Sequence, residues 1–259
     1  MMQKNKPKKI ANQYDNDNYN YLHYWQGRDY EHAAEQIAIE RLIRKKHFQK
    51  AADIGGGYGR LCIFLSKYAD DVTLAEPSQS QLDIAKDFLK NYPKIHQVKM
   101  QADALAFKDE SLDLITMIRV MHHLPDPSTE FAEIARVLKE SGYLILEMAN
   151  YAHAVNRLKH AIKLKKMPLE PVDIRSEKNR RDEEIAFVNH NPKTVIKQLA
   201  HAGLKVEKVL SVSNLRSKTA KKIIPQTVML SVEKLMQPTL APAFFGPSIF
   251  FLVKKARIE

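Results

Sequence analysis

The chain has 259 residues, of which 44% are hydrophobic and 27% are charged. These values predict a globular protein with a substantial core, built as one α/β domain with additions. The single cysteine, Cys62, excludes an intramolecular disulfide and indicates a reducing compartment. The most apolar run, residues 240–253, is too short and too often broken by proline and glycine to span a membrane, so we expect a cytoplasmic protein.

The positive charge is concentrated in one part of the chain. The formal net charge is +11, and residues 151–222 alone contain 17 Lys and Arg against 7 Asp and Glu, a net charge of +10. Such a region is either a lysine-rich solvated surface or a surface for an anionic partner such as nucleic acid. The sequence leaves both interpretations open.

The first 27 residues are predicted to form an arm that is partly mobile, because its beginning is polar and rich in Asn and Lys. Six aromatic residues cluster in and just after this arm: Tyr14, Tyr19, Tyr21, Tyr24, Trp25 and Tyr30. Rings with polar tips suit either the cap of a half-wet binding site or packing of the arm onto the next domain. Residues 31–46 have apolar residues at helical spacing and predict a helix.

Residues 51–60 read Ala-Ala-Asp-Ile-Gly-Gly-Gly-Tyr-Gly-Arg and predict a strand, a tight turn and a helix continuing to residue 68. Gly55, Gly57 and Gly59 suit a backbone at positive φ that lies against a ligand. The free N–H groups at the start of the helix favour an anionic or polar part of that ligand. The spacing fits Asp-x-Gly-x-Gly-x-Gly, beginning at Asp53. It does not fit the dinucleotide pattern Gly-x-Gly-x-x-Gly, which would need a glycine at Arg60.

This glycine pattern resembles the first motif of the class I S-adenosylmethionine (SAM)-dependent methyltransferases. Residues 71–75 predict a second strand that ends at Glu76, about 20 residues beyond the glycine loop. A carboxylate at that place can accept hydrogen bonds from both hydroxyls of a ribose. NAD enzymes use the same device, so Glu76 indicates a nucleoside without choosing between the two cofactors.

Two later stretches extend the resemblance. Residues 95–100 predict a third strand, and the resemblance implies that Asp103 accepts from the adenine amino group while the Ala104 N–H faces the ring. Residues 111–118 predict a buried fourth strand that is followed by Arg119 and by the turn His122-His123-Leu124, similar to the family's His-His-Leu turn. The resemblance places Arg119 against cofactor and acceptor, although the family often has a different residue type there.

His122 and His123 are the candidate catalytic residues. Either one acts as a general base, or both line the pocket at the carboxyl ends of the strands. On an extended backbone the two side chains would point to opposite sides, and no second His/Cys cluster stands nearby in the sequence. We therefore predict no metal site.

The rest of the chain predicts further elements in chain order. They are a helix at 128–139 capped by Ser128, a turn at Gly142, a strand at 143–148, a basic helix at 155–166, a helix at 194–202, a strand at 204–212, a helical piece at 221–236 that contains Pro225, and a last strand at 248–253. Residues 151–191 and 214–247 interrupt the alternation, and the resemblance implies that such insertions cover the methyl acceptor.

Taken together, the elements predict an α/β fold with a doubly wound, mostly parallel seven-stranded sheet of the Rossmann-like methyltransferase type. A methyltransferase domain over residues 28–259 follows an N-terminal helical arm and carries helical insertions near the C-terminus.

The predicted function is that of a SAM-dependent methyltransferase. The predicted cofactor-binding residues are Asp53, Gly55, Gly57, Gly59, Glu76, Asp103, Ala104 and Arg119. The Asn-Pro-Pro-aromatic motif of base-amino methyltransferases is absent after the fourth strand, which favours a small-molecule or lipid-like acceptor. An RNA methyltransferase, or a catalytically silent nucleic-acid-binding protein on the same scaffold, remains the alternative because of the basic region. An NAD(P)-dependent oxidoreductase is disfavoured by the glycine spacing.

Overall fold

The computed structural model of the protein describes residues 13–15, 21–44, 46–181 and 185–256. The strands in these ranges are β1 (Phe48–Ile54), β2 (Ala69–Glu76), β3 (Ile95–Lys99), β4 (Leu112–Met117), β5 (Leu138–Ala149), β6 (Val172–Asp173), β7 (Val188–Asn189), β8 (Leu204–Val212) and β9 (Ser248–Lys255). The predicted mobility of residues 1–12 and 16–20, and the predicted role of Tyr19, concern positions outside the described residues.

The helices of the same ranges are α1 (Tyr21–Trp25), α2 (Asp29–Ile43), α3 (Cys62–Leu65), α4 (Gln79–Phe88), α5 (Ser128–Val137), α6 (Ala154–Ile162), α7 (Glu177–Arg181), α8 (Pro192–His201), α9 (Lys218–Ile223) and α10 (Gln226–Thr239). Short 3-10 turns lie at Gln13–Asp15, Met121–His123 and Ala241–Ala243. None of the described helices is long and apolar enough to cross a membrane.

One sheet of seven strands has the order β3-β2-β1-β4-β5-β9-β8. Strands β1 to β5 pair in parallel, and β9 is antiparallel to both of its neighbours, β5 and β8. The predicted fold class, a doubly wound and mostly parallel seven-stranded sheet, is therefore confirmed. The strand order reverses between β1 and β4, which is where such sheets bind ligands at their carboxyl edge.

Helices cover both faces of the sheet, so the central strands are buried on both sides. Neighbouring residues of one strand point to opposite faces of the sheet. Phe250 and Phe251 of β9 are an example, because both are fully buried but belong to different core clusters. One cluster packs against α2 and α3, and the other packs against α5 and α8. Cys62 is a buried, free member of the first cluster, where it packs as a small apolar residue.

Several predicted boundaries are wrong, and local packing explains them. Helix α5 ends at Val137 because β5 already begins at Leu138, which pairs with Leu112 of β4. Gly142, predicted to be a turn, lies inside β5, where a Cβ would stand 3.0 Å from the Leu112 carbonyl oxygen. A strand glycine often marks such a close backbone approach.

Three helix predictions need correction. Ser128 is the first residue of α5 and not its cap, since its hydroxyl donates to Asp126. The helix after the glycine loop covers Cys62–Leu65 and does not continue to residue 68. The piece predicted at 221–236 is two helices, α9 and α10, because Pro225 stands between them and cannot donate a helical hydrogen bond.

The loop between β1 and α3 has the backbone that the glycine spacing predicted. Gly55, Gly57 and Gly59 have φ values of +66°, +61° and +83°, which favour glycine. Gly59 is also crowded, because a Cβ there would lie 2.6 Å from Leu89 Cδ1. By contrast, Gly203 has a similar φ of +74° with no atom within 4 Å of the position of a Cβ.

Comparison of these two glycines separates backbone strain from steric conflict. We expect Gly203→Ala to lower the free energy of unfolding by about 1–2 kcal/mol, since an L-residue is strained in this conformation. Gly59→Ala adds an overpacking cost of ~1–3 kcal/mol on top of the same strain. Urea denaturation of both variants measures the difference, and equal losses would show that the loop relaxes away from Leu89.

Candidate functional site

A cavity of about 410 Å³ opens at the carboxyl ends of β1 to β4, beside the point where the strand order reverses. Its size is in the usual range for small-ligand sites, ~300–1,000 Å³. Six of the predicted site residues line it: Gly55, Gly57, Glu76, Asp103, Arg119 and His123. Asp53, Gly59, Ala104 and His122 do not line it.

The carboxylate of Glu76 is fixed by the backbone of two loops. The Gly57 N–H donates to Glu76 Oε2 at 2.8 Å, and the Ser78 N–H donates to Oε1 at 2.9 Å. Burial raises the pKa of Glu76 to about 7, although both N–H donors act to lower it. A carboxylate has about four acceptor positions, so Glu76 can accept further hydrogen bonds from a ligand in the cavity.

Asp53 supports the glycine loop from below. Its carboxylate accepts from the Thr116 hydroxyl at 2.6 Å and from the Cys62 thiol, and a Cβ on Gly56 would lie 2.5 Å from it. Burial raises the pKa of Asp53 to about 6. Asp53 is therefore a buried residue that supports the glycine loop and does not line the cavity.

Two lining side chains that the sequence analysis missed have polar atoms without a partner in the described part of the chain. They are the amide of Gln81 and the Oε2 atom of Glu130, both buried. Burial raises the pKa of Glu130, and the charge of nearby Asp103 adds to that rise. Buried polar groups normally have partners, so these atoms mark places where a polar ligand fits.

Arg119 lines the cavity, but its side chain is held by the protein itself. Its guanidinium pairs with Glu35 Oε1 at 2.7 Å, and Arg60 pairs with Oε2 of the same carboxylate at 2.7 Å. Both guanidinium groups lie over the ring of Trp25, 4.8 Å and 3.6 Å from its centroid. Glu35 thus fixes a cation at the edge of the site.

The charge state of Glu35 follows from this pairing. Burial alone would raise the pKa of Glu35, but the charges of Arg119 and Arg60 and their hydrogen bonds hold it below its ordinary value. The backbone of Arg119 has a φ of +62°, and its N–H donates to the buried carboxylate of Glu147 at 2.9 Å. Two acids from outside the predicted motifs therefore orient Arg119.

The two histidines lie on a 3-10 turn, so the extended backbone assumed for them is wrong. Their ring centroids are 4.0 Å apart. The His123 Nδ1–H donates to the Ala186 carbonyl oxygen at 3.0 Å, which leaves Nε2 to accept from the Tyr14 hydroxyl at 2.7 Å. Burial lowers the pKa of both histidines, that of His122 strongly. The described residues contain no group of three or more potential metal ligands.

The N-terminal aromatic residues that the structure describes divide between the cavity and the core. Tyr14 and Tyr21 line the cavity, with ring centroids 5.6 Å apart, while Trp25 packs into the core. Asp15 anchors the arm, since it accepts from the Ser78 hydroxyl at 2.6 Å.

Comparison with known proteins gives a family match for the central part of the chain. Residues 52–146 match the family model of the methyltransferase domain. The uncharacterized methyltransferase YcgJ of Bacillus subtilis is 30% identical over 100 residues, which are 38% of this chain and 39% of that protein. The ubiquinone/menaquinone biosynthesis C-methyltransferase UbiE of Shewanella halifaxensis is 31% identical over 115 residues, 42% of this chain and 46% of that protein. The chain thus spans less than half the length of these curated relatives.

Solved structures show the same architecture over most of the chain. A SAM-dependent methyltransferase of Thermotoga maritima, described as a possible histamine N-methyltransferase, has a TM-score of 0.63 and 19% identity, and the match covers 92% of this chain and 94% of that one. The YcgJ structure has a TM-score of 0.54 and 16% identity, with 87% and 99% covered. At these identities the likeness shows the fold.

The buried cluster around Glu35 gives a stability prediction. We expect Glu35→Gln to lower the free energy of unfolding by about 3–5 kcal/mol, because Arg60 and Arg119 lose their buried counter-charge. A matched control is Glu177→Gln, whose 3.9 Å pair with Arg181 is exposed. Glu177→Gln should lower the free energy of unfolding by ~0.5 kcal/mol or less. Urea denaturation at pH 7 compares the two, and similar small losses would show that Glu35 is dispensable for the cluster.

Proposed function

We propose, from the class I SAM-dependent methyltransferase domain that this chain contains, that the protein transfers the methyl group of SAM to a small, largely apolar organic acceptor. SAM is the cofactor implied by the domain and by its structural neighbours. The observation that carries the proposal is the convergence of the glycine loop and Glu76 on one cavity at the switch point of the sheet. The glycine spacing and the family match both argue against a nicotinamide cofactor.

The chemistry of the cavity changes from one end to the other. Glu76 and Asp15 are joined through Ser78 near the end of β2, while Asp103 and Glu130 lie beyond β3. This polar end fits the nucleoside of SAM, and we assign the ribose hydroxyls to Glu76 and the adenine amino group to Asp103. The unpartnered Gln81 amide, beside Gly57, supplies a further polar contact.

The part of the cavity that is lined by the residues after β4 is our candidate for the acceptor site. Val120, His123 and Leu124 lie there, Tyr14 is hydrogen-bonded to His123, and Ile185 is a further apolar residue of the same cavity. Such a lining favours an apolar or aromatic acceptor. The relationship to UbiE supports this class, since that protein is a C-methyltransferase of ubiquinone and menaquinone biosynthesis.

Bound SAM supplies an already activated methyl group on a sulfonium, so the protein's main tasks are alignment and exclusion of water. Tyr14 and Tyr21 bring the N-terminal arm over the cavity and shield it. Both nitrogens of His123 are engaged, and its lowered pKa keeps it neutral, so we assign it to holding Tyr14 in place. His122 is kept neutral as well and contacts the Phe187 ring, 4.4 Å between centroids. Since His122 does not line the cavity, we assign it to the packing that supports His123, whose ring centroid is 4.0 Å away.

The first predicted insertion, residues 151–191, has the contacts expected of a cover. Ile185 lines the cavity, and His190 is hydrogen-bonded to the Met121 carbonyl oxygen at 2.9 Å. Residues 214–247 have no lining residue among those described, and Glu233 and Lys221 instead bind this segment to the N-terminal half of α2. We therefore propose that only the first insertion covers the acceptor.

The raised pKa of Glu76 predicts a pH dependence of SAM binding. Below pH 7 the carboxyl gains a proton and loses an acceptor for the ribose hydroxyls, so affinity should fall about tenfold between pH 8 and pH 6. Calorimetric titration measures this slope. Glu76→Gln should bind SAM weakly with a flat profile, apart from any titration of the ligand that both proteins share. A variant as pH-dependent as the wild type would remove Glu76 from the site.

A methyl-transfer screen with labelled SAM tests the function itself. We expect label in small apolar or aromatic acceptors, and none with Gly57→Val, because a branched side chain at φ +61° would be strained and would press on the Tyr21 ring. Gly203→Val, where φ is also positive but the space is open, controls for loss of stability. Transfer to RNA and not to small molecules would contradict the proposed acceptor class.

A further inference from the structure

Helix α6 has its apolar side turned toward solvent. Val155, Leu158 and Ile162 recur at helical spacing on one face, and they are 55%, 62% and 73% exposed. None of the nine residues of this helix is buried. A surface helix of a globular protein normally turns such a stripe toward the core, so this one requires a different explanation.

The polar side of α6 faces the protein instead. Asn156 donates to the Tyr151 carbonyl oxygen at 2.9 Å, and the rings of His160 and Tyr151 meet at 5.8 Å. Both side chains are half-buried, whereas the apolar stripe is not. The orientation of α6 is thus fixed by polar contacts that leave its apolar face outward.

The end of the helix adds another exposed apolar residue. Leu164 is 95% exposed and has a φ of +51°, in a turn where the Lys165 N–H donates to the His160 carbonyl oxygen at 2.9 Å. Glycine usually occupies the left-handed position of such a helix end. Leu164 has a strained backbone at this position, and its side chain is almost fully exposed to solvent.

Positive charge surrounds this apolar face. Five cations lie in and just after the helix: Arg157, Lys159, Lys163, Lys165 and Lys166. No Asp or Glu occurs in residues 151–169, and none of the five cations has an ion pair with a residue that the structure describes. An apolar stripe flanked by unneutralised lysines is the composition of a helix that lies in a membrane interface.

We propose that α6 and the following residues 163–166, here called the docking helix, bind the surface of an anionic lipid bilayer. The side chains of Leu158 and Ile162 from the stripe, together with Leu164, enter the boundary between headgroups and acyl chains. The flanking cations contact the lipid phosphates. An RNA surface would use the cations but gives no role to a continuous exposed apolar stripe. Charge complementarity together with that stripe therefore selects the bilayer.

The docking helix lies on the same side of the molecule as the mouth of the cavity, so membrane binding would bring the site to the bilayer. It follows β5 at the carboxyl edge of the sheet, the same edge at which the cavity opens. The mouth of the site and the docking helix therefore lie on one side of the molecule. The docking itself does not depend on the proposed function, although delivery of a lipid-like acceptor from the bilayer would rest on it.

Vesicle co-sedimentation of the full chain tests the proposal. We expect strong binding to phosphatidylcholine vesicles that contain about 30% phosphatidylglycerol and much weaker binding to phosphatidylcholine alone. Neutralising Lys163, Lys165 and Lys166 to Gln should weaken the binding by roughly 100-fold, about fivefold for each lysine. Replacing Leu158, Ile162 and Leu164 by Gln should weaken it at least ~10-fold.

Two matched control variants make the same kinds of change at surfaces outside the docking helix, one in charge and one in exposed apolar area. Neutralising the exposed Lys90, Lys94 and Lys197 removes the same charge, and changing Val228, Val232 and Leu235 of α10 to Gln removes a similar apolar stripe. Both controls should bind within about twofold of the wild type. Thermal unfolding checks that every variant is folded.

Three results would overturn the proposal. They are equal binding to neutral and anionic vesicles, an unchanged affinity of the apolar triple variant, and equal losses in the control variants. Salt-dependent binding to single-stranded RNA without binding to vesicles would instead assign the docking helix to nucleic acid.

Discussion

The hydrogen bond from the Gly57 N–H to the buried carboxylate of Glu76 joins the ends of two neighbouring strands. Because β1 and β2 are parallel, their carboxyl ends meet at the same edge, and this bond fixes the glycine loop against the acid there. Burial makes the bond strong and also raises the pKa of Glu76 to about 7. Both residues line the cavity, so the bond fixes two parts of its wall relative to each other.

A second buried acid, Glu35, fixes the other side of the site. Helix α2 places it between Arg60, after the glycine loop, and Arg119, after β4. The carboxylate is therefore a counter-charge shared by two part-buried cations, and the charge of the buried Glu147 carboxylate adds to it at Arg119. Because Glu35 holds the guanidinium of Arg119, we propose that Arg119 acts on a ligand as a fixed charge at the edge of the cavity.

The sequence predicted the parts of the site that local patterns specify. Glycine spacing predicted three positions at positive φ, the end of the second strand predicted the place of Glu76, and the family resemblance implied that of Asp103. It did not predict Glu35, Gln81 or Glu130, because only the packing of helices against the sheet brings them to the site. Gly142 was misread for a related reason, since its role comes from the neighbouring strand β4.

The proposed function requires a nucleoside site between the glycine loop and the acids at the ends of β2 and β3. A crystal structure of the protein with S-adenosylhomocysteine tests this most directly. We predict the two ribose hydroxyls within hydrogen-bond distance of Glu76, ~2.6–3.2 Å, and the adenine amino group beside Asp103. A nucleoside bound elsewhere, with Glu76 still contacted only by Gly57 and Ser78, would contradict the proposed nucleoside site.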